Sequence, residues 1–187
     1  MQMPRWTLSV ALVVLVGACS HHSSGGGFVP NNNNNNGNNN NGNNNNGVTD
    51  PHILAALAVL NQSRASVGSA PLTVDASLCS CALQHASDCA ACAGFSINNF
   101  GTCAHGDFKA GNTCGATAEN QGIQTGVSSS NEDAAFQSIN SAMMAEGPPP
   151  AGQDNHWLNI TNSSETAVGI GLFIDMNGNL WVSEEFR

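Results

Sequence analysis

Apolar and polar positions follow two different periods along this chain, and a long central stretch follows neither. Ile53, Leu54, Leu57 and Leu60 recur at helical spacing with alanines between them, which predicts a first helix. Asp50 before Pro51 marks its start, because an aspartate caps free N–H groups and proline suits the first turn. Gly68 ends it. After Pro71 and Leu72, Asp75 caps a second helix from about Ala76 to Ala91, with Leu78, Ala82, His85 and Cys89 on one face. Phe136, Ile139 and Met143 predict a third helix, opened by a capping box at Ser130 and Asp133 and closed after Glu146 by Gly147 and three prolines. From Ala167 to Asp175 the chain turns β-branched and apolar. Asn177-Gly178 is a strong hairpin signal, and Leu180 to Phe186 form the returning strand. Residues 93–130 are rich in Gly, Asn, Ser and Thr and read as irregular. The pattern predicts an α+β domain of three helices around a small antiparallel sheet.

The N-terminal fifty residues have another character. Residues 1–18 read as a signal peptide: Arg5 is basic, and Leu8 to Val16 form an apolar run too short to cross a bilayer as a helix. Leu15-Val16-Gly17-Ala18-Cys19 resembles the bacterial lipoprotein cleavage box, in which Cys19 is lipidated and becomes the mature N-terminus. Residues 31–47 hold fourteen Asn and three Gly. Such a tract has no apolar surface to offset chain entropy, so residues 19–50 are expected to be a disordered linker, with the domain at 51–187. The expected location is outside the cytoplasm, on the cell surface or in the periplasm, held to the membrane through the N-terminal lipid alone.

Charge narrows the partners. The chain has 13 Asp and Glu against 4 Lys and Arg, and loss of the signal peptide removes Arg5. Nucleic-acid binding needs clustered cations, and Arg64, Lys109 and Arg187 are scattered, so nucleic acid is not an expected partner. Seven cysteines in a short chain imply an oxidising compartment. With Cys19 taken by lipid, an even set remains: Cys79, Cys81, Cys89, Cys92, Cys103 and Cys114. Neighbours within the second helix point apart, so some must pair with Cys103 and Cys114 in the loop. Cys89-x-x-Cys92 has the spacing of half a zinc site, a reading that an exported chain disfavours.

Four polar residues are candidates for chemistry: His105, Glu119, Glu146 and His156. Glu146 continues the buried face of the third helix at its C-terminus, where the helix dipole disfavours a carboxylate, so it needs an imidazole or a cation as partner. His85, on a buried helix face, reads as a satisfied core histidine. The order of motifs resembles the CAP superfamily of cysteine-rich secretory proteins, antigen 5 and pathogenesis-related proteins. The likeness rests on Leu60-Asn61-x-x-Arg64-x-x-x-Gly68-x-x-Pro71-Leu72, Ala82-Leu83-Gln84-His85-Ala86, Cys103-Ala104-His105-Gly106, Ala118-Glu119-Asn120, Met143-Met144-Ala145-Glu146, His156-Trp157-Leu158-Asn159-Ile160, Val168-Gly169-Ile170-Gly171 and Trp181-Val182. Ala118 stands where the family has glycine and Met143 where it often has an aromatic residue. A proline-rich insert, Pro148 to Asp154, separates Glu146 from His156. The resemblance implies a disulfide-stapled α-β-α sandwich whose central cleft is lined by the two His and two Glu.

Two imidazoles and two carboxylates can hold a divalent ion such as Zn²⁺, with His105 and His156 as ligands, although no cofactor is required. The expected function is a non-enzymatic module binding a small or lipidic ligand, or a cell-surface protein. No G-x-S-x-G elbow and no H-E-x-x-H occurs. The alternatives are a metal-assisted hydrolase of peptide or cell-wall material, with Glu119 or Glu146 as general base, and a structural protein whose cleft stays empty.

Overall fold

The computed structural model describes residues 47–187. The signal peptide, Cys19 and nearly all of the linker lie outside the described residues. Val48, grouped with the linker by composition, is only 5% exposed and packs into the main core.

Helix α1 spans Pro51–Ser66, and the Asp50 carboxylate accepts from the N–H groups of His52 and Ile53 at 2.9 and 3.3 Å. Helix α2 spans Ala76–Cys92 and is capped in the same way by Asp75. Two one-turn helices follow, α3 (Phe100–Cys103) and α4 (Gly106–Lys109). Helix α5 is Glu132–Met144, and α6 is His156–Thr161. The strands are β1 (Thr73–Val74), β2 (Ala118–Thr125), β3 (Ala167–Ile174) and β4 (Asn179–Phe186).

The sheet order is β1-β3-β4-β2. The three long strands are antiparallel as the hairpin signal implied, and two-residue β1 adds a parallel edge, so the sheet is mixed. Side chains alternate across it. Val168, Ile170, Leu172, Leu180, Val182 and Phe186 pack with Ile53, Leu57 and Leu60 of α1 and Phe136 and Ile139 of α5. On the other face Phe173 and Trp181 meet Leu83, Ala86 and Ala90 of α2. The result is three layers, helix–sheet–helix.

Helix α2 lies unusually close to the sheet. A Cβ added at Gly169 would fall 2.1 Å from the Leu78 carbonyl carbon, and one at Gly171 would fall 2.2 Å from that of Ala82. Both neighbours are helix backbone, which cannot swing aside. On the opposite layer, the Arg64 guanidinium is fully buried and donates to the carbonyls of Ala70, Ile160, Asn162 and Glu165 at 2.6–3.0 Å. It ties α1 to α6 and to the turn before β3.

Three expectations need correction. Residues 93–130 are not simply irregular: they contain α3, α4 and the whole of edge strand β2. No capping box forms at Ser130 and Asp133. Asn131 holds the cap position without a side-chain cap bond, its Oδ1 accepting instead from Ser128 N–H at 2.7 Å, and α5 stops at Met144, two residues before Glu146. The six domain cysteines do not all pair. Cys81 joins Cys114 and Cys92 joins Cys103, while Cys89 is a free buried thiol. Cys89 faces the small apolar cluster under α2, and both loop cysteines are already taken. Burial pushes its thiol up to about 12, so it is inert. With Cys92 in a disulfide, the Cys89-x-x-Cys92 half-site for zinc does not form.

Gly171→Ala should force α2 away from the sheet and cost about 1–3 kcal/mol or more, the scale of an overpacked core. Urea unfolding of variant and parent measures it. An unchanged midpoint would show that the close contact is not structural.

Candidate functional site

Strand β2 forms the outer edge of the sheet, and the site is built across its first residues. Successive side chains of a strand point to opposite faces. Glu119 therefore points to the α2 side and Asn120 to the α5 side, and each anchors one wall of a cleft.

His105 forms the first wall. It occupies the left-handed region at φ 63°, uncommon for a residue with a side chain and often found at functional positions. Its backbone N–H donates to Gln121 Oε1 at 2.9 Å, and its Nδ1 meets Glu119 Oε2 at 2.6 Å. His156 forms the second wall at the start of α6, which Asn155 caps by accepting from Leu158 N–H at 2.9 Å. Its Nδ1 meets Glu146 Oε1 at 2.6 Å, and its backbone N–H donates to Glu146 Oε2 at 3.1 Å. Glu146 meets an imidazole, but from an exposed position beyond the end of α5 and not from the buried helix face expected of it. Asn120 Nδ2 donates to the His156 carbonyl at 3.4 Å, and Asn159 Nδ2 donates to Asn120 Oδ1 at 3.0 Å and to the Glu119 carbonyl at 3.3 Å. These amides hold α6 against β2.

The two histidine rings face each other with centroids 6.3 Å apart. They open onto a cleft of about 710 Å³, also lined by Phe108, Lys109, Asp154 and Asn159. All four residues singled out in the sequence line this one cleft.

Beneath it lies a polar cluster that the sequence did not disclose. His85 is fully buried, and its Nδ1 contacts Glu119 Oε1 at 2.8 Å and Glu185 Oε1 at 2.9 Å. Ser183 Oγ donates to Glu185 Oε1 at 3.0 Å and to Glu119 Oε1 at 3.3 Å. His85 is the core histidine expected, but its partners are carboxylates. Burial alone would lower its pKa. The bonds to Glu119 and Glu185 outweigh that and raise it to about 10. For Glu119, burial acts upward, and the bonds from His105 and His85 win, lowering its pKa to about 2. His85, Glu119 and Glu185 place ligand-type atoms within 4.8 Å of one another, a donor set of the kind that holds a metal ion.

On the opposite face Glu184 is also fully buried. It accepts from Asn120 Nδ2 at 3.0 Å, its second oxygen has no partner among the described residues, and burial raises its pKa to about 7. Glu184 and Glu185 follow each other in β4, so one strand buries an acid on each face. A strand flanked by apolar residues on both sides was the available signal. Ordinary alternation would send one of the pair to solvent.

Residues 57–184 match the CAP, or cysteine-rich secretory protein, family. Several solved structures are similar in fold. NaASP2 with Zn²⁺ is 14% identical with a TM-score of 0.52, the alignment covering 75% of this chain and 81% of that one. BmVAL-1 is 14% identical with a TM-score of 0.52, covering 75% and 78%. Na-ASP-1 is 15% identical with a TM-score of 0.50; the alignment covers 83% of this chain but only 43% of that longer one. A comparison with curated proteins gives no match.

Glu184 generates a pH dependence. Its folded pKa of about 7 lies above the ordinary 4.5, so the native state holds a proton that the unfolded chain has released. Its contribution is therefore lost as pH rises from about 4.5 to 7. Glu184→Gln keeps an oxygen for Asn120 and removes the titration. Its stability relative to the parent should rise across that window, by about 3 kcal/mol at most. Parallel stability–pH curves from urea unfolding would refute this.

Proposed function

The chain belongs to the cysteine-rich secretory protein family, a family of secreted proteins, and from its cleft we propose that it is an exported binding module holding a small or lipidic ligand beside a divalent metal. The observation that carries this is the pairing of each cleft histidine with a carboxylate through Nδ1 at 2.6 Å. A hydrogen-bonded carboxylate behind an imidazole fixes its tautomer and raises the basicity of the other nitrogen, the arrangement behind histidine metal ligands. Among the described residues neither Nε2 atom meets a protein partner, and the two rings lie with centroids 6.3 Å apart. Two protein ligands leave coordination positions open for water or for a donor atom of the ligand. NaASP2, which shares the fold, was crystallised with Zn²⁺.

Binding rather than turnover fits the role of the carboxylates. Glu119 and Glu146 are both committed to imidazoles, so neither is placed as a free general base. The cleft's mixed lining of Phe108 and polar groups suits a ligand with an apolar body and a polar head. We further propose that Cys19 carries a lipid and that the Asn/Gly tract spaces the domain from the membrane.

Zinc titration by calorimetry tests the cleft. The parent should bind one Zn²⁺, His105→Ala/His156→Ala should bind none there, and Glu146→Gln should bind about 10–100-fold more weakly. No binding to the parent sinks the metal-assisted reading, and turnover of casein or peptidoglycan sinks the binding-module reading. Mass spectrometry of the membrane fraction tests the anchor. The expected species begins at an acylated Cys19, and an intact unacylated Cys19 would refute it.

A further inference from the structure

The two ends of strand β2 belong to different parts of the molecule. Its first residues, Ala118 to Asn120, pair with Phe186 to Glu184 and carry the cleft. Its last, Ile123 to Thr125, pair with Trp181 to Asn179, beside the tip of the β3–β4 hairpin. Eight residues of strand set these ends roughly 25 Å apart. The chain enters the domain at the hairpin end. Asp50 caps α1 there, and His52 Nδ1 meets Asp133 Oδ1 at 2.7 Å, joining the first turn of α1 to the first turn of α5. Asn131 Nδ2, at the start of α5, donates to the Gly126 carbonyl, just past β2, at 3.1 Å.

Two apolar side chains stand in solvent at this end. Met176, at the hairpin tip, is 93% exposed. Phe95, just past α2, is 46% exposed. Its neighbours Ile97 and Phe100 pack on the Trp181 cluster, with the Phe100 and Trp181 ring centroids 5.7 Å apart, which places the segment here. Gly94 and Phe95 close α2 by donating to the carbonyls of Ala91 and Ala90. Gly94 supplies the left-handed backbone that this ending uses, but Phe95 is left-handed too, at φ 63°. A bulky residue rarely adopts that conformation, and here it leaves the ring half in water.

No Lys or Arg of the described residues lies at this end. Arg64 is bonded to α6, Lys109 lines the cleft, and Arg187 follows β4 and pairs with Asp75. The carboxylates are engaged. Asp50 caps α1, Asp133 meets His52, and Asp88 accepts from Gln84 Nε2 at 2.8 Å. Asp175 accepts from the N–H groups of Asn177 and Asn179 at 2.7 and 3.0 Å.

We propose that Met176 and Phe95 form a contact face for the interface of an uncharged lipid bilayer, so that the cleft at the far end opens away from the membrane. The proposal rests on the lipid anchor at Cys19 proposed above. Residues 20–46 would link that anchor to the hairpin end, and a flexible chain of this length reaches about 30 Å on average. The tether therefore brings the hairpin end to the surface first. Val67 and Leu158 are exposed as well, but they follow the far end of α1 and lie in α6 beside the cleft. Two side chains do not hold a free domain on a bilayer. A tether makes the contact intramolecular, and a weak contact then suffices. With no cation at this end, anionic headgroups offer it nothing.

Hydrogen exchange read by mass spectrometry tests the face. The chain from Cys19 onward is coupled through that thiol to a maleimide lipid in phosphatidylcholine vesicles, so the tether does not depend on acylation in the cell. Amides of residues 94–98 and 175–178 should exchange several-fold more slowly on vesicles than in the uncoupled chain, and those of 105–109 and 154–158 should not change. Phe95→Asn/Met176→Ser should lose the protection and keep the parent's unfolding midpoint, because asparagine tolerates the left-handed backbone. Adding phosphatidylglycerol should weaken the protection. Unchanged exchange in both segments overturns the proposal. So does protection of the cleft segments, or protection that survives the double variant. Protection of 94–98 and 175–178 without vesicles, rising with protein concentration, also overturns it, since a second copy then covers the face. An unacylated Cys19 in cells, with the coupled chain still protected, removes the anchor reading and leaves the lipid-contact face standing.

Discussion

The site depends on how near α2 comes to the sheet. Gly169 and Gly171 put no side chain between the strand and the backbone of Leu78 and Ala82. His85 follows Ala82 by three residues, on the same helical face. An imidazole is short, and it reaches Glu119 and Glu185 on the neighbouring strands only because the helix rests on bare backbone. With side chains at those two positions, α2 would ride higher and the link from helix to cleft would open. Two residues with nothing to contribute to the core by area thus determine whether the polar cluster can exist.

The second constraint is that one edge strand serves both walls. The alternation of β2 sends Glu119 to His85 and His105, and Asn120 to Glu184, Asn159 and the His156 carbonyl. The separation of the two imidazoles is therefore set by the thickness of a single strand plus one side chain on each side. Arg64 completes the frame by fixing the C-terminal end of α6 through the carbonyls of Ile160 and Asn162. Among the described residues the buried guanidinium bonds to carbonyls, whose dipoles offset its charge, and Glu165 acts on it as an opposing charge.

Legibility in the sequence followed the strength of local signals. Helices α1 and α2 carry aspartate caps and clear periodicity, and they form where the pattern put them. The β3–β4 hairpin has its Asn-Gly turn, with Gly178 at φ 69° supplying the conformation that other residues resist. Strand β2 was hidden because Ala118-Glu119-Asn120-Gln121-Gly122 is polar on both faces: one meets the buried imidazole, the other an amide network, and Gly122 makes room for Ile139. Hydrophobic alternation cannot report a strand whose partners are polar. The same cause hid Glu184 and Glu185. The cleft residues were legible through motif order, while the atoms beneath them depend on the helix–sheet distance, which no local pattern carries.

The disulfides make physical sense in this light. The sheet-facing side of α2 packs Leu78, Leu83, small alanines and a buried histidine against the strands. Buried ion pairs add little net stability, since desolvation offsets much of their attraction. Covalent links add to the packing: Cys81–Cys114 and Cys92–Cys103 tie α2 to the segment that leads through α3 and α4 into β2. Cross-links of this kind act chiefly by restricting the unfolded chain. Cys81 lies one turn before His85, so the same bond that braces the layer also places its sulfur against the imidazole. Stability and site geometry on this side of the sheet are thus carried by one helix, pressed close by glycines and pinned at both ends by sulfur.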